Sequence, residues 1–169
     1  NSTIELDYLI DRGTITLDEG ANLTVKNGFG IAGRPASETE NNNPATATIS
    51  LIKGAKLIVN NHNGMGVGQA AEDPEGYGIM NIDATSTFET TQSFLVTANG
   101  TMNVNGGNVK TVGTLTNNGA VNVTGNASMN VNTLTGNAIN FTNVTIANAN
   151  IGGAVNAFGT NNFTGETNI

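Results

Sequence analysis

Apolar and polar residues alternate strictly at the start of a phrase running from Ile15 to Gly28. Ile15 and Leu17 fall on one parity, Thr14, Thr16 and Asp18 on the other, and the alternation restarts with Leu23 and Val25 after Gly20 and Ala21. A period of two is the pattern of a strand with one buried face. The phrase returns 34 residues later: Ile15, Leu17, Gly20, Ala21, Leu23 and Val25 align with Ile49, Leu51, Gly54, Ala55, Leu57 and Val59. Weaker echoes begin at Asn81, Leu95, Thr114 and Asn126. Self-similarity at a spacing of tens of residues marks stacked units, none of which can bury its apolar side alone. Two short strands meeting at a small-residue corner, with apolar residues in matching slots, predict one coil of a β-solenoid. Stacking then sets Leu17 over Leu51 and Val25 over Val59, so that like side chains form ladders inside.

Helix is excluded by the absence of a sustained 3.6-residue period and by the Gly, Asn and Thr that interrupt every window. The competing arrangement is an antiparallel meander, because Asn-Gly at 27–28, 63–64, 99–100 and 118–119 suits hairpin turns. A hairpin reverses the chain at each turn, whereas these repeats keep one direction and one internal phase. Two stretches rich in Gly, Pro and charge lie between repeats, at about 26–48 and 60–79, and predict loop insertions leaving the same corner of adjacent coils. From about residue 95 the spacing tightens, with Leu115 and Leu134 only 19 residues apart. The expectation is a single β-solenoid segment over 1–169. Neither terminal stretch reads as a capping coil, which is the expectation for a segment of a longer protein.

Hydrophobic residues make up 37% of the chain with no Trp, so a narrow aliphatic core is expected. There is no cysteine, which removes disulfides, thiolate metal sites and a Cys nucleophile. No apolar run approaches the roughly 18 residues of a membrane-spanning helix, so no membrane insertion is expected. The net charge is −7, and twelve of the thirteen acidic residues precede residue 90. With no basic stripe to neutralise phosphates, nucleic acid is not an expected partner.

Candidate chemistry is sparse. Glu38 and Glu40 in the first expected insertion, and Glu72, Asp73 and Glu75 in the second, could accept hydrogen bonds from sugar hydroxyls or hold a hard cation. They match no specific calcium motif, so no metal or other cofactor is assigned. His62 is the only histidine and has no nucleophile motif beside it, which leaves it as a ligand contact rather than a catalyst. Arg34 suits a carboxylate and Tyr77 suits a sugar ring. Thr-x-Thr pairs such as Thr114/Thr116 are too irregular for an ice-binding face. The many Asn residues suit left-handed corners and amide stacking between coils.

The run "GANLTVKNG…ATISLIKGAKLIVNN…GYGIMNI", then "NGTMNVNGG" and "INFTNVTIANANIGGAVNAFGTNNFTG", resembles the pectate-lyase-like adhesive domains of lactobacilli and related Gram-positive bacteria. The resemblance implies an all-β, right-handed parallel β-helix on a secreted, cell-wall-anchored surface protein. Its partners would be cell-surface or plant polysaccharide, mucin glycan, or the same protein on a neighbouring cell. Pectate lyases of similar fold use clustered Asp ligands for calcium and a basic proton abstractor. The coils after residue 95 hold no Asp, and Lys110 is their sole base. A non-catalytic adhesin segment is therefore expected. A polysaccharide lyase or hydrolase, a structural stalk and a self-associating module remain as alternatives.

Overall fold

The computed structural model describes residues 2–41, 43–60, 66–69, 76–164 and 167–169. Within them the chain is almost wholly extended. Strands β1 (Thr3–Asp11), β2 (Thr14–Leu17), β3 (Asn22–Ile31), β4 (Thr46–Leu51) and β5 (Lys56–Val59) come first. They are followed by β6 (Gly66–Val67), β7 (Tyr77–Ile82), β8 (Thr87–Thr90), β9 (Phe94–Val96), β10 (Gly100–Asn105) and β11 (Asn108–Asn117). The last are β12 (Ala120–Gly136), β13 (Ile139–Ile151), β14 (Val155–Phe158), β15 (Asn162–Phe163) and β16 (Thr167–Asn168). The only helical element among the described residues is a 3₁₀ turn at Ala36–Glu38.

All strands join one 16-stranded sheet that winds as a parallel β-solenoid of about eight coils. Every strand pairing among the described residues is parallel, and the one antiparallel contact is an isolated bridge between Gly66 and Gln69. The meander is thereby rejected. Asn27–Gly28 lies inside β3, and Asn118–Gly119 links two sides of one coil instead of reversing it.

Three sides can be followed along the axis. Side one stacks β2, β4, β7, β10, the starts of β12 and β13, and β14. Side two stacks the starts of β1 and β3, then β5, β8, the start of β11, the middle of β12, the end of β13 and β16. Side three takes the second halves of β1 and β3, then β6, β9 and the ends of β11 and β12. The repeated phrase is in register as its sequence requires: Ile15 opposes Ile49, Leu17 opposes Leu51, Leu23 opposes Leu57 and Val25 opposes Val59.

The interior is built of these ladders. Leu17, Leu51, Ile82, Val104, Val123 and Phe141 form one inward column, and all are buried. The core is less purely aliphatic than the composition implied. Phe29, Phe88 and Phe94 are fully buried and meet in tilted contacts, with centroids 5.8 Å apart for Phe29–Phe94 and 4.7 Å for Phe88–Phe94. Tilted pairs let a ring edge meet a neighbour's electron-rich face and add about 0.5–1.5 kcal/mol beyond area burial.

The corner between sides one and two repeats as a tight turn at Asp18–Ala21, Ile52–Ala55 and Asp83–Ser86, each closed by a backbone hydrogen bond of 3.0–3.2 Å. In the first two turns both central residues have positive φ: Glu19 (49°) and Gly20 (72°), then Lys53 (53°) and Gly54 (82°). Asn was expected at such left-handed corners. Among the described residues only Asn143 adopts the conformation, and the other two non-glycine cases are Glu19 and Lys53. Stacking offsets their strain: Gly20 N–H donates to the Lys53 carbonyl at 3.0 Å, and Lys53 Nζ lies 3.1 Å from Asp18 Oδ2.

Coil length falls steadily. Residues stacked on side one are 34 apart between β2 and β4, then 31, 22, 19, 18 and finally 16 apart. The chain sheds its connections between sides three and one. In the first long stretch, residues 26–31 and 46–48 are strand rather than insertion, so the irregular part is 32–45. Phe29 and Ile31 point inward there and extend the alternation past the intervening glycines. In the second stretch, Gly66–Val67 and the start of β7 at Tyr77 are strand.

Candidate functional site

Two features on the surface carry chemistry: the base of the connections between sides three and one, and the outward face of side one.

At the first, backbone hydrogen bonds tie the two long connections together. Ala45 N–H donates to the Arg34 carbonyl at 2.8 Å, and Tyr77 N–H donates to the Ala45 carbonyl at 2.9 Å. Gly33 N–H donates to the Tyr77 carbonyl at 3.0 Å, and Gly76 N–H donates to the Gly33 carbonyl at 3.1 Å. The chain segments approach so closely that a Cβ on either Gly33 or Gly76 would collide with the Ala45 carbonyl. Both glycines are buried. The backbones of Arg34 and Tyr77 therefore flank one residue, Ala45, while their side chains face solvent, that of Tyr77 belonging to a residue 49% exposed.

The remaining candidates divide. Glu38 closes the 3₁₀ turn and is exposed, and Glu40 follows it, also exposed. Their loop is shaped by Thr39, whose hydroxyl donates to the Ala36 carbonyl at 3.0 Å or the Asn43 carbonyl at 2.6 Å. His62, Glu72, Asp73 and Glu75 lie outside the described residues. The structure thus brings together Arg34 and Tyr77, with Glu38 and Glu40 on the same connection as Arg34. Among the described residues no three His, Cys, Asp or Glu side chains gather where they could hold a metal ion, and no helix is long and apolar enough to cross a membrane.

On side one, the residue between the two inward positions of each strand points outward and stacks on its equivalent in the next coil. The column runs Thr16, Ser50, Asn81, Asn103, Asn122, Asn140 and Asn156. Its amides bond in series: Asn103 Nδ2 donates to Asn81 Oδ1 at 3.0 Å, and Asn122 donates to Asn103 at 3.2 Å. Asn140 donates to Asn122 at 3.2 Å and Asn156 to Asn140 at 3.0 Å. Beside the column runs a groove of about 340 Å³, lined by Ser50, Asn81 and Asn103 on one wall and Ile52, Asp83 and Asn105 on the other.

Asp83 marks the corner end of that groove. Its Oδ1 accepts from the Thr85 N–H (3.0 Å), the Thr85 hydroxyl (3.0 Å) and the Ser86 hydroxyl (2.7 Å), and its Oδ2 accepts from the Lys53 N–H at 2.8 Å. Partial burial pushes its pKa upward, but the hydrogen bonds from Lys53, Ser86 and Thr85 together outweigh this and hold it at about 2.

Amide stacking between coils was legible in the Asn-rich composition, but the face on which it occurs was not. The available signal was the triplet apolar–Asn–apolar, found in Met80-Asn81-Ile82, Met102-Asn103-Val104, Val121-Asn122-Val123 and Ile139-Asn140-Phe141. Asp83 carried the signal Asp-x-Thr-Ser at a corner, where a carboxylate can take the N–H and hydroxyl groups that follow it.

No family model, no curated protein and no solved structure matches the chain. The fold and the surface geometry therefore carry the functional argument.

Proposed function

We propose that the chain is a non-catalytic segment of a bacterial cell-surface adhesin that binds glycans outside the cell, on a solenoid of the pectate-lyase-like adhesive kind. The observation that carries this reading is the locked base around Ala45. An arginine and a tyrosine stand exposed on backbone fixed by four backbone hydrogen bonds between the connections and within one of them. A guanidinium pairs with the carboxylate of an acidic sugar, and a phenol ring offers a flat surface to sugar C–H groups while its hydroxyl donates. Rigid backbone beneath both side chains lowers the ordering cost of binding. The best-defined carboxylate on a corner, Asp83, is unsuited to proton transfer at neutral pH because its four hydrogen bonds stabilise the ionised form.

The test is a glycan array carrying mucin-type, plant and bacterial-wall saccharides, run beside a cell-aggregation assay. Binding of acidic glycans that falls about tenfold in the Arg34→Ala/Tyr77→Ala variant is expected. Aggregation without binding to any glycan would replace this reading by self-association. Release of unsaturated or reducing sugar above a heat-inactivated control would replace it by an enzyme.

A further inference from the structure

The outward face of side one differs from that of side two in charge. Its strands read TITL in β2, TATISL in β4, YGIMNI in β7, GTMNVN in β10 and VNAF in β14, and the stretches of β12 and β13 on this side read AVNVT and INFT. Not one Asp, Glu, Lys, Arg or His occurs among them, in a chain of net charge −7. Side two carries outward Lys56, Glu89 and Lys110, with Lys56 Nζ paired to Glu89 at 3.0 Å. Among the described strands the outward charges lie on side two, and what sets side one apart is its continuous row of amides.

What occupies that side is an array of hydrogen-bonding groups at coil spacing, about 4.8 Å. Asn103, Asn122 and Asn140 each give one N–H and one acceptor position to the column. An amide has two N–H groups and two lone pairs on its oxygen, so each keeps one donor and one acceptor for a ligand. All three are half-buried and held in one rotamer by their neighbours, so little side-chain freedom is left to lose on binding. Next to the amides, Thr48, Ile79, Thr101 and Ala120 form a parallel column that presents methyl groups.

We propose that this face binds a neutral, extended polysaccharide lying along the solenoid axis. The proposal rests on the glycan-binding reading and extends it to a second surface and a ligand class. A sugar ring has hydroxyls at its edge and C–H groups on its faces, which fit the amide column and the methyl column respectively. Sugar units of an extended β-linked chain recur at nearly the coil spacing, so successive units meet successive amides. An anionic chain on this face would pass the ionised Asp83 on the groove wall with no cation beside it on side one, which disfavours it here. A second copy of the protein would bring its own charge of −7 against the first, which favours the neutral sugar as occupant.

The experiment titrates cellohexaose, hexagalacturonate of equal length and glucose into the isotopically labelled chain and follows the side-chain amide resonances of Asn103, Asn122 and Asn140. Cellohexaose is expected to shift these resonances at about tenfold lower concentration than hexagalacturonate, whose binding at Arg34 and Tyr77 leaves the column unmoved. Its affinity should be the same at low and high salt, since no charge is neutralised. Asn103→Leu/Asn122→Leu should lose that binding, whereas Arg34→Ala/Tyr77→Ala should keep it. The wild-type resonances give the answer even if the leucine variant folds poorly. Cellohexaose binding with unmoved column resonances, or binding abolished only by the Arg34/Tyr77 change, overturns the face and leaves the adhesin reading standing. Absence of cellohexaose binding overturns the face, and a blank glycan array beside it overturns the adhesin reading as well. Concentration-dependent shifts of the same amides without sugar overturn the proposal in favour of a second copy.

Discussion

Asp83 concentrates at one carboxylate what holds neighbouring coils together at their corners. The Lys53 N–H it accepts belongs to the turn of the preceding coil, and Thr85, which donates to Asp83, accepts in turn from the Gly54 N–H at 2.8 Å. The left-handed turn at Lys53–Gly54 cannot satisfy these N–H groups from within its own coil. An ionised carboxylate is the right acceptor for several donors at once, and such bonds are stronger than neutral ones. Because the folded-state pKa, about 2, lies below the ordinary carboxylate value, the group stabilises the fold above that ordinary value. The contribution is lost as pH falls from about 4 through the folded-state value. Asp83→Asn must turn an NH₂ toward existing donors, and we expect a loss of about 1–2 kcal/mol at neutral pH. Chemical denaturation at pH 7 and again close to the folded-state pKa checks this. The gap between wild type and variant should narrow sharply in acid, and a gap that stays constant would mean the carboxylate charge plays no part.

The elements divide into those whose register a reader of the sequence can find and those that glycine conceals. Ile15, Leu17, Leu23 and Val25 kept both parity and spacing in the second repeat, and a parallel ladder requires just that, since a slip by one residue would turn every apolar side chain outward. Side three escaped the same reading. In "KNGFGI" the outward positions of β3 are Gly28 and Gly30, so the alternation survives only in Phe29 and Ile31 and looks like a loop. The locked base was hidden for a different reason: Gly33, Ala45 and Gly76 are far apart in sequence and meet only when two unequal connections close on the same corner. Arg34 and Tyr77 were legible as residue types suited to sugars, and their common support at Ala45 was not. Two substitutions test these elements. Leu57→Asp sets an unpaired charge at a fully buried position and should abolish the sheet signal in circular dichroism, because its burial costs several kcal/mol with no partner available. Gly76→Val introduces a side chain against the Ala45 carbonyl and should lower stability by about 1–3 kcal/mol. It should also weaken binding at Arg34 and Tyr77 by moving their backbones. A Gly76→Val protein with wild-type melting would show that the connections do not close as described.

At the scale of the whole molecule, a solenoid has no central core around which all its parts close. Each coil touches only its neighbours, so stability is approximately the sum of nearest-neighbour terms. Those terms are unequal here. β4, β7 and β10 alternate buried inward residues with partly covered outward ones, and each has a coil on both sides. β14 holds no buried residue and three exposed ones, both residues of β16 are exposed, and most of β1 is exposed. The shortest coil, with a spacing of 16 residues, ends in β14, which contributes no buried residue to the interior. Hydrogen exchange should therefore be graded along the axis. Amides of β14, β15 and β16 should exchange by local fraying, β1 should come next, and the inward residues Ile49, Met80, Met102 and Val121 should exchange only on global unfolding. This gradient places Asn81, Asn103 and Asn122 in the most protected coils, which is where an amide array must sit if its spacing is to match a ligand without rearrangement. Native-state exchange at increasing low concentrations of denaturant resolves the question coil by coil. Uniform protection from β1 to β16 would show a single cooperative unit and remove the link between coil stability and the rigidity of the side-one face.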